Sequence, residues 1–137
     1  MSAVLLDAGP LVAYLDRAEH HHAWAREMFE TMSEPLWVCE AVLTEACFLP
    51  GQLPQAQSAV GELLRLGVLA MVPVGGAAQS RVFALMDKYR QVPMSYADAC
   101  LLLLAETHAR SRVFTLDSDF DICRLDRARR VPVIAPF

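Results

Sequence analysis

The sequence predicts an α/β domain built on a central parallel sheet of about four to five strands, with helices flanking both faces. Short apolar runs of strand length alternate with longer segments of helical periodicity, which is typical of sheets whose strands are joined by helical crossovers. The chain has 137 residues, of which 55% are hydrophobic and 20% charged, as expected for one compact domain with a substantial core. We therefore expect a single domain over residues 1–137.

The first half of the chain predicts two strands, each followed by helices. Residues 3–6 form an uninterrupted apolar run, which indicates a buried strand, and Gly9-Pro10 places a proline near the first turn of the next helix. Gly67 is expected to end the last helix of this half. The predicted elements are a strand at 3–6, a helix beginning at 9–10, a helix at 20–32, a strand at 36–38, a helix at 40–49 that stops at Pro50-Gly51, and a helix from Pro54 to Gly67.

The second half repeats the alternation. Gly75-Gly76 predicts a turn, and the proline at position 132 restricts the last predicted strand to the edge of the sheet. The predicted elements are a strand at 68–74, a helix at 77–90, a helix from Ser95 to about Arg110, a strand at 112–116 and an edge strand at 131–134.

The charge of the chain predicts no general affinity for nucleic acid. The formal net charge is −4, so attraction to a polyanion would have to come from a local patch or a bound metal. Arginine supplies 11 of the 12 basic residues, and six of these arginines lie between Arg110 and Arg130. They predict either a local patch that faces phosphate or an ordinary solvated surface.

The four cysteines include no C-x-x-C pair, so the sequence suggests neither a zinc site nor a redox motif. Cys47 and Cys100 lie inside apolar runs and are expected to be buried free thiols, which favours a cytoplasmic location. The first apolar stretch is interrupted by Asp7, and it therefore resembles neither a signal peptide nor a membrane span.

Two acidic residues follow predicted strands. Asp7 comes directly after the first strand and Asp117 directly after the fourth. The carboxyl ends of parallel strands meet at one edge of a sheet, where α/β proteins bind their ligands. We therefore expect these two carboxylates to lie close together.

Two further acids lie in apolar helical segments. Glu45 has only apolar residues three and four positions away, so its carboxylate either faces a compensating charge or reaches water at the edge of the apolar stripe. Asp98 stands near the start of a helix that is apolar nearly all round. The pattern Ser95-x-x-Asp98 is that of a capping box, which alone would explain Asp98 but leaves it free to face a cleft.

Four carboxylates in one cleft would repel one another unless a cation lay among them. An all-oxygen ligand set selects Mg²⁺ or Mn²⁺, and such a centre is suited to metal-assisted hydrolysis of a phosphodiester bond. The sequence offers no competing nucleophilic triad and no phosphate-binding glycine loop. The predicted catalytic and metal-binding residues are Asp7, Glu45, Asp98 and Asp117.

In their order along the chain, these pieces resemble the PIN-domain nucleases. The matching segments are Val4 to Leu11, Glu40 to Glu45, Ser95 to Ala99, and Val113 to Phe120. The resemblance implies a Mg²⁺- or Mn²⁺-dependent endoribonuclease in which the four acids bind metal. It also implies auxiliary roles for Thr115, as a polar residue near the site, and for Asp119, as a less regular fifth acid.

Many bacterial members of this length resemble the toxins of type II toxin–antitoxin pairs (VapC-like). That resemblance implies a homodimer, an RNA substrate and an antitoxin protein laid across the active-site groove, with no membrane association. Two alternatives remain open at this point: a stand-alone PIN nuclease in RNA processing, and a non-catalytic PIN-like module that binds RNA or protein. Metal-dependent cleavage is the observation that separates an enzyme from a binding module.

Overall fold

A five-stranded, wholly parallel sheet forms the centre of the molecule in the computed structural model, which describes residues 2–48 and 54–137. The strands are β1 (Ala3–Leu6), β2 (Leu36–Val38), β3 (Leu69–Met71), β4 (Ser111–Phe114) and β5 (Val133–Ile134). Their spatial order is β3-β2-β1-β4-β5. The predicted parallel α/β fold is confirmed, and the last strand lies at the edge of the sheet as predicted, although it begins after Pro132 and is shorter than the predicted 131–134.

The helices of the described residues connect these strands. They are α1 (Ala8–Leu15), α2 (His22–Thr31), α3 (Glu40–Phe48), α4 (Pro54–Arg65), α5 (Gln79–Lys88) and α6 (Tyr96–Thr107), with short 3₁₀ turns at Gly76–Ala78 and Ser118–Asp121. The predicted residue 49 and the predicted stop at Pro50-Gly51 lie outside the described residues. Within the described ranges, no helix combines the length and the apolar character that crossing a membrane requires.

The core lies around β1, β4 and α6. Leu5, Leu6, Val113 and Phe114 have no exposed surface, and the ring of Phe114 packs edge-on against Trp24 at a centroid distance of 5.5 Å. All residues of α6 from Ala99 to Ala105 are buried. β1 and β4 are therefore tightly packed, and the residues that directly follow them, Asp7 and Thr115, have rigidly fixed backbones.

Gly67 ends α4 as predicted. Its backbone has a φ of +79°, its N–H donates to the Leu64 carbonyl, and the N–H of Val68 donates to the Leu63 carbonyl. These two bonds form a Schellman motif, in which a residue without Cβ occupies the left-handed position.

The strand predicted at 68–74 is shorter in the structure. It spans Leu69–Met71 because its only neighbour, β2, ends at Val38, where the chain turns into α3. The strand predicted at 112–116 is Ser111–Phe114 instead, since its neighbour β1 leaves the sheet after Leu6. Asp117 therefore follows β4 after two intervening residues rather than directly.

Two further expectations were wrong in detail. The helix predicted to reach Arg110 ends at Thr107, where the Thr107 hydroxyl donates to the carbonyl oxygens of the preceding turn. Cys47 is only partly buried, whereas Cys100 is buried as expected.

Candidate active site

The order of the strands reverses between β1 and β4. From β1 the chain proceeds to β2 and β3 on one side, and from β4 to β5 on the other. In parallel sheets such a reversal opens a crevice beyond the carboxyl ends of the two central strands. Asp7 and Asp117 both lie at this crevice, and the N–H of Asp7 donates to the Phe114 carbonyl at 2.9 Å.

Asp7 is the most buried of the four predicted acids, with 6% of its surface exposed. It caps α1, because its Oδ1 accepts the Ala8 N–H at 2.8 Å, and its Oδ2 accepts the Thr115 hydroxyl at 2.7 Å. Burial raises the pKa of Asp7 from 3.8 to about 6, and the negative charges of Asp98 and Glu45 add to the rise, against the lowering effect of its two hydrogen bonds. Asp7 is thus a buried carboxylic acid whose charged form is disfavoured by its surroundings.

Thr115 joins the two strand ends. Its side chain is fully buried, and its hydroxyl both donates to Asp7 and accepts the Asp117 N–H at 2.9 Å. Asp117 in turn accepts the Asp119 N–H on its Oδ1 at 2.8 Å. This chain of hydrogen bonds holds the loop after β4 against the end of β1.

Asp98 forms the predicted capping box of α6. Its Oδ2 accepts the Ser95 N–H at 3.2 Å, and its own N–H donates to the Ser95 hydroxyl at 3.0 Å. Burial raises the pKa of Asp98 despite these bonds, and the charges of Asp117 and Asp119 raise it further. The capping role is therefore real, and the residue also lies within the electrostatic reach of the other acids.

Glu45 approaches from α3. It is half-buried, and among the described residues its carboxylate has no hydrogen-bond or salt-bridge partner, so both oxygens are available. Burial raises its pKa, and the charge of Asp98 does so as well. The sequence left two interpretations open for Glu45, and its position favours a carboxylate that faces other acids over one that merely reaches water.

The four acids line one open cleft with a cavity volume of about 470 Å³. Each comes from a different segment of the chain, which is why no local motif could establish the arrangement. The remaining wall is formed by Ala8, Gly9, Ser95, Leu116 and Ser118.

Asp119 lies beside this cleft rather than in its wall. It lines a smaller adjoining cavity together with Asp98, Asp117 and Cys123. Sequence reasoning missed Cys123, since nothing in its local sequence distinguishes it. Burial raises the pKa of the Cys123 thiol to about 11, and the charges of the neighbouring acids contribute to the rise. The thiol is therefore inert near neutral pH.

Gly9 was also missed as part of the site. A Cβ atom at this position would lie 3.3 Å from the Cβ of Leu116. The absence of a side chain therefore lets the start of α1 approach the loop after β4 closely. No signal for this contact was present in the sequence, because it depends on the pairing of β1 with β4, the strands that precede Gly9 and Leu116.

The donor set fits a hard divalent cation. The cleft offers carboxylate oxygens from four residues, and none of these acids forms a salt bridge within the described ranges. Burial raises the pKa values of Asp7, Glu45 and Asp98, and the charges of neighbouring acids raise them further, so a cation bound among them would be stabilised. As they stand, no three His, Cys, Asp or Glu side chains of the described residues converge closely enough to form a finished metal site.

Comparison with known families identifies the fold. The profile of the PIN domain family matches residues 4–126. The chain belongs to the PIN-domain family. The PIN profile spans all four acids of the cleft and ends at Asp126.

Individual PIN relatives agree with this assignment. The chain is 28% identical over 116 residues to Ribonuclease VapC26 of Mycobacterium tuberculosis. The aligned segment covers 83% of this chain and 86% of that protein. The crystal structure of VapC20 from Mycobacterium tuberculosis, described as a Sarcin-Ricin loop cleaving toxin, superposes with a TM-score of 0.79 at 16% identity, covering 93% of this chain and 99% of that one.

Two PIN relatives were solved in larger assemblies. VapBC2 from Rickettsia felis, bound to a promoter DNA fragment, gives a TM-score of 0.65 at 14% identity. DNA-bound VapBC from Salmonella typhimurium gives 0.64 at 17% identity, and each comparison covers 98% of both chains. At these identities the solved structures establish the shared fold.

Proposed function

We propose that this PIN-domain chain is a metal-dependent endoribonuclease, a hydrolase of RNA phosphodiester bonds, and that it acts as the toxin of a toxin–antitoxin pair. The observation that carries the proposal is the cleft lined by Asp7, Glu45, Asp98 and Asp117, none of which forms a salt bridge within the described residues. Relatives described as a ribonuclease and as a Sarcin-Ricin loop cleaving toxin support RNA as the substrate.

The four acids would hold Mg²⁺ or Mn²⁺. When bound, such an ion supplies positive charge for the phosphate oxygens and lowers the pKa of an attacking water. Thr115 fixes the orientation of the Asp7 carboxylate through its 2.7 Å hydrogen bond. Asp119 supports the position of Asp117 through its backbone N–H, so both residues have auxiliary roles.

The proposal is tested by cleavage of a pool of structured RNAs with purified protein, in the presence of Mg²⁺, of Mn²⁺, or of chelator. Asp98→Asn is the informative variant, because asparagine keeps a side-chain oxygen for the Ser95 N–H and so preserves the helix cap. We expect a fall in rate of roughly a hundredfold or more, since loss of a metal ligand removes several kcal/mol of transition-state stabilisation.

The matched control is Asp87→Asn, which removes an exposed acid of α5 that pairs with Arg90 and lines neither the cleft nor the adjoining cavity. It should cut at the wild-type rate. Equal cleavage by wild type and Asp98→Asn would assign the activity to a contaminant. If no RNA is cut under any metal condition, and no inhibitor has co-purified, the chain is a binding module and the enzymatic proposal is wrong.

We also propose a homodimer and a protein antitoxin as partners. Phe83 (59% exposed) and Tyr96 (39%) adjoin on the surface with ring centroids 5.9 Å apart, and adjoining exposed apolar rings suit a protein contact. The relatives solved as VapBC complexes support a partner protein. Light scattering of the purified chain tests the dimer, and co-expression with the protein of a neighbouring reading frame tests the antitoxin.

A further inference from the structure

The wall of the acidic cleft contains two residues with uncharged polar side chains, Ser95 and Ser118. The hydroxyl oxygen of Ser95 accepts the Asp98 N–H in the cap of α6, so the fold itself accounts for that serine. Ser118 is exposed, and within residues 2–48 and 54–137 its hydroxyl has no hydrogen-bond partner. The Ser118 hydroxyl is therefore available to a molecule that enters the cleft.

The backbone at Ser118 is fixed although the side chain is exposed. Ser118 is the first residue of the 3₁₀ turn Ser118–Asp121. The turn is closed by the Asp119 N–H, which donates to Oδ1 of Asp117 at 2.8 Å, and it is anchored in the core by Phe120, of which 2% is exposed. The hydroxyl is thus held at a defined place in the cleft wall.

The turn does not use the Ser118 hydroxyl. Serine is common in turns because its hydroxyl can bond to nearby backbone groups. Here the carboxylate of Asp117 performs that task, since it accepts the Asp119 N–H. Alanine at position 118 should therefore leave the turn intact, and the substitution Ser118→Ala isolates the contribution of the hydroxyl to binding.

The chemistry of the cleft leaves a task for a hydroxyl donor. Ionised carboxylates can only accept hydrogen bonds, and the non-bridging oxygens of a phosphodiester are likewise acceptors. The four acids can therefore attract a phosphate only through a bound cation. Ser118 carries an O–H donor and directly follows Asp117, with consecutive Cα atoms about 3.8 Å apart. A phosphate held beside Asp117 is consequently also beside Ser118.

We propose that the Ser118 hydroxyl donates a hydrogen bond to a non-bridging oxygen of the RNA phosphate that occupies the acidic cleft. This inference rests on the proposed function, since it names a residue that binds the substrate of that site. Serine hydroxyls are frequent donors to phosphate in nucleic-acid complexes. The contact is neutral, so it adds to the attraction exerted by a bound cation without competing for the carboxylates.

The test measures RNA binding separately from cleavage. Ser118→Ala and Ser118→Thr are each placed in the Asp98→Asn protein, and binding of a fluorescein-labelled single-stranded RNA of mixed sequence is followed by anisotropy in Mg²⁺ over a salt series. The matched control is Ser80→Ala, which changes an exposed serine of α5 that lines neither the cleft nor the adjoining cavity.

For Ser118→Ala we expect the affinity for RNA to fall roughly tenfold, as for the loss of one hydrogen bond to a charged group. The slope of log affinity against log salt should stay unchanged, because no charge has been removed. Ser118→Thr retains the hydroxyl and, like Ser80→Ala, should bind as the parent protein does. With Asp98 restored, Ser118→Ala should lower kcat/KM for RNA cleavage by a similar factor. Unchanged RNA binding in Ser118→Ala would overturn the inference.

A DNA strand of the same base sequence separates a phosphate contact from a ribose contact. Loss of a bond to phosphate should weaken RNA and DNA binding by the same factor. A loss confined to RNA would assign the hydroxyl to the ribose 2′-OH, and the proposed phosphate contact would be wrong.

Titration with Mn²⁺ separates a substrate contact from an effect on the metal site. Ser118→Ala should bind Mn²⁺ as tightly as the parent protein, and a weaker affinity for the ion would show that Ser118 acts through the carboxylates instead. If the wild type cuts no RNA but Ser118→Ala still weakens both strands equally, the nuclease proposal fails and the phosphate contact stands.

Discussion

The acidic cleft and residues 124–130, a short hairpin closed by the bridge between Arg124 and Arg130, carry different energetic costs. In the cleft, burial raises the pKa values of Asp7, Glu45 and Asp98, and the charges of the other acids raise them further. In the hairpin the charges are solvated, but two residues with side chains occupy the left-handed region. In the cleft the cost is the burial and repulsion of charged carboxylates, and in the hairpin it is backbone strain.

The two regions can be distinguished experimentally, because their costs have different physical origins. Departures from local rules in a folded chain mark places where function and not stability has determined the residues. An electrostatic cost depends on pH and on added cations, whereas a backbone cost depends on neither. The predictions below use these dependences to separate the regions.

The largest effect on stability is expected for Asp7→Asn in the absence of metal. The folded-state pKa of about 6 lies above the ordinary 3.8, so the folded protein holds this proton more tightly. The contribution of Asp7 to the free energy of unfolding is therefore most favourable below about pH 4. It falls as the pH rises toward 6, by about 3 kcal/mol in all. Urea unfolding in chelator should find the variant more stable than wild type at pH 8, and the two proteins closer together at pH 4.

Added Mg²⁺ provides a second arm of this test. It should raise the unfolding midpoint of the wild type at pH 8 more than that of Asp7→Asn, because a ligand stabilises the state that binds it. Asp121→Asn, which changes an exposed acid, serves as the control and should follow wild type at both pH values. Parallel pH profiles for wild type and Asp7→Asn would mean that the cleft carries no electrostatic cost.

A smaller effect is expected for Thr115→Val. The substitution keeps the shape of a fully buried side chain but leaves Oδ2 of Asp7 and the Asp117 N–H without a partner. We expect a loss of about 2 kcal/mol in the free energy of unfolding. Because the hydrogen bond that this variant removes lowers the pKa of Asp7, the pH window of instability should also move upward.

Thr115→Ser distinguishes the hydroxyl from the methyl group. It retains both hydrogen bonds and should lose only about 1 kcal/mol for the buried methyl, with the pH window unmoved. A shift of the pH profile in the serine variant, or none in the valine variant, would contradict the role assigned to the hydroxyl.

The sequence located the acids through features that are local. Asp7 follows an apolar run, Ser95 and Asp98 form a capping pattern confirmed in the structure, and Glu45 stands out among apolar neighbours. Their meeting in one cleft depends on the strand order β3-β2-β1-β4-β5, which arises from pairing between distant segments. That arrangement could be inferred only from the order of the family-like motifs, and the catalytic and metal-binding roles of the four acids stay predictions.

Two features were beyond the reach of sequence reasoning. The hydrogen bond between Thr115 and Asp7 joins residues 108 positions apart, and no spacing rule predicts it. The hairpin was hidden because its tip contains Arg127 and Ala128 where a turn of this kind predicts Asn-Gly. The arginines were consequently treated as one group, with no turn recognised among them.

The smallest effect on stability tests the hairpin. Ala128→Gly removes a side chain from a residue whose φ is 58°, and we expect the free energy of unfolding to rise by about 1 kcal/mol. Ala84→Gly, an exposed position inside α5, is the matched control and should lower it by about 1 kcal/mol. Urea unfolding at pH 4 and pH 8 should find the gain of Ala128→Gly equal at both, unlike that of Asp7→Asn. A loss of stability in both glycine variants would mean that the turn is unstrained, and the hairpin would then be an ordinary charged loop.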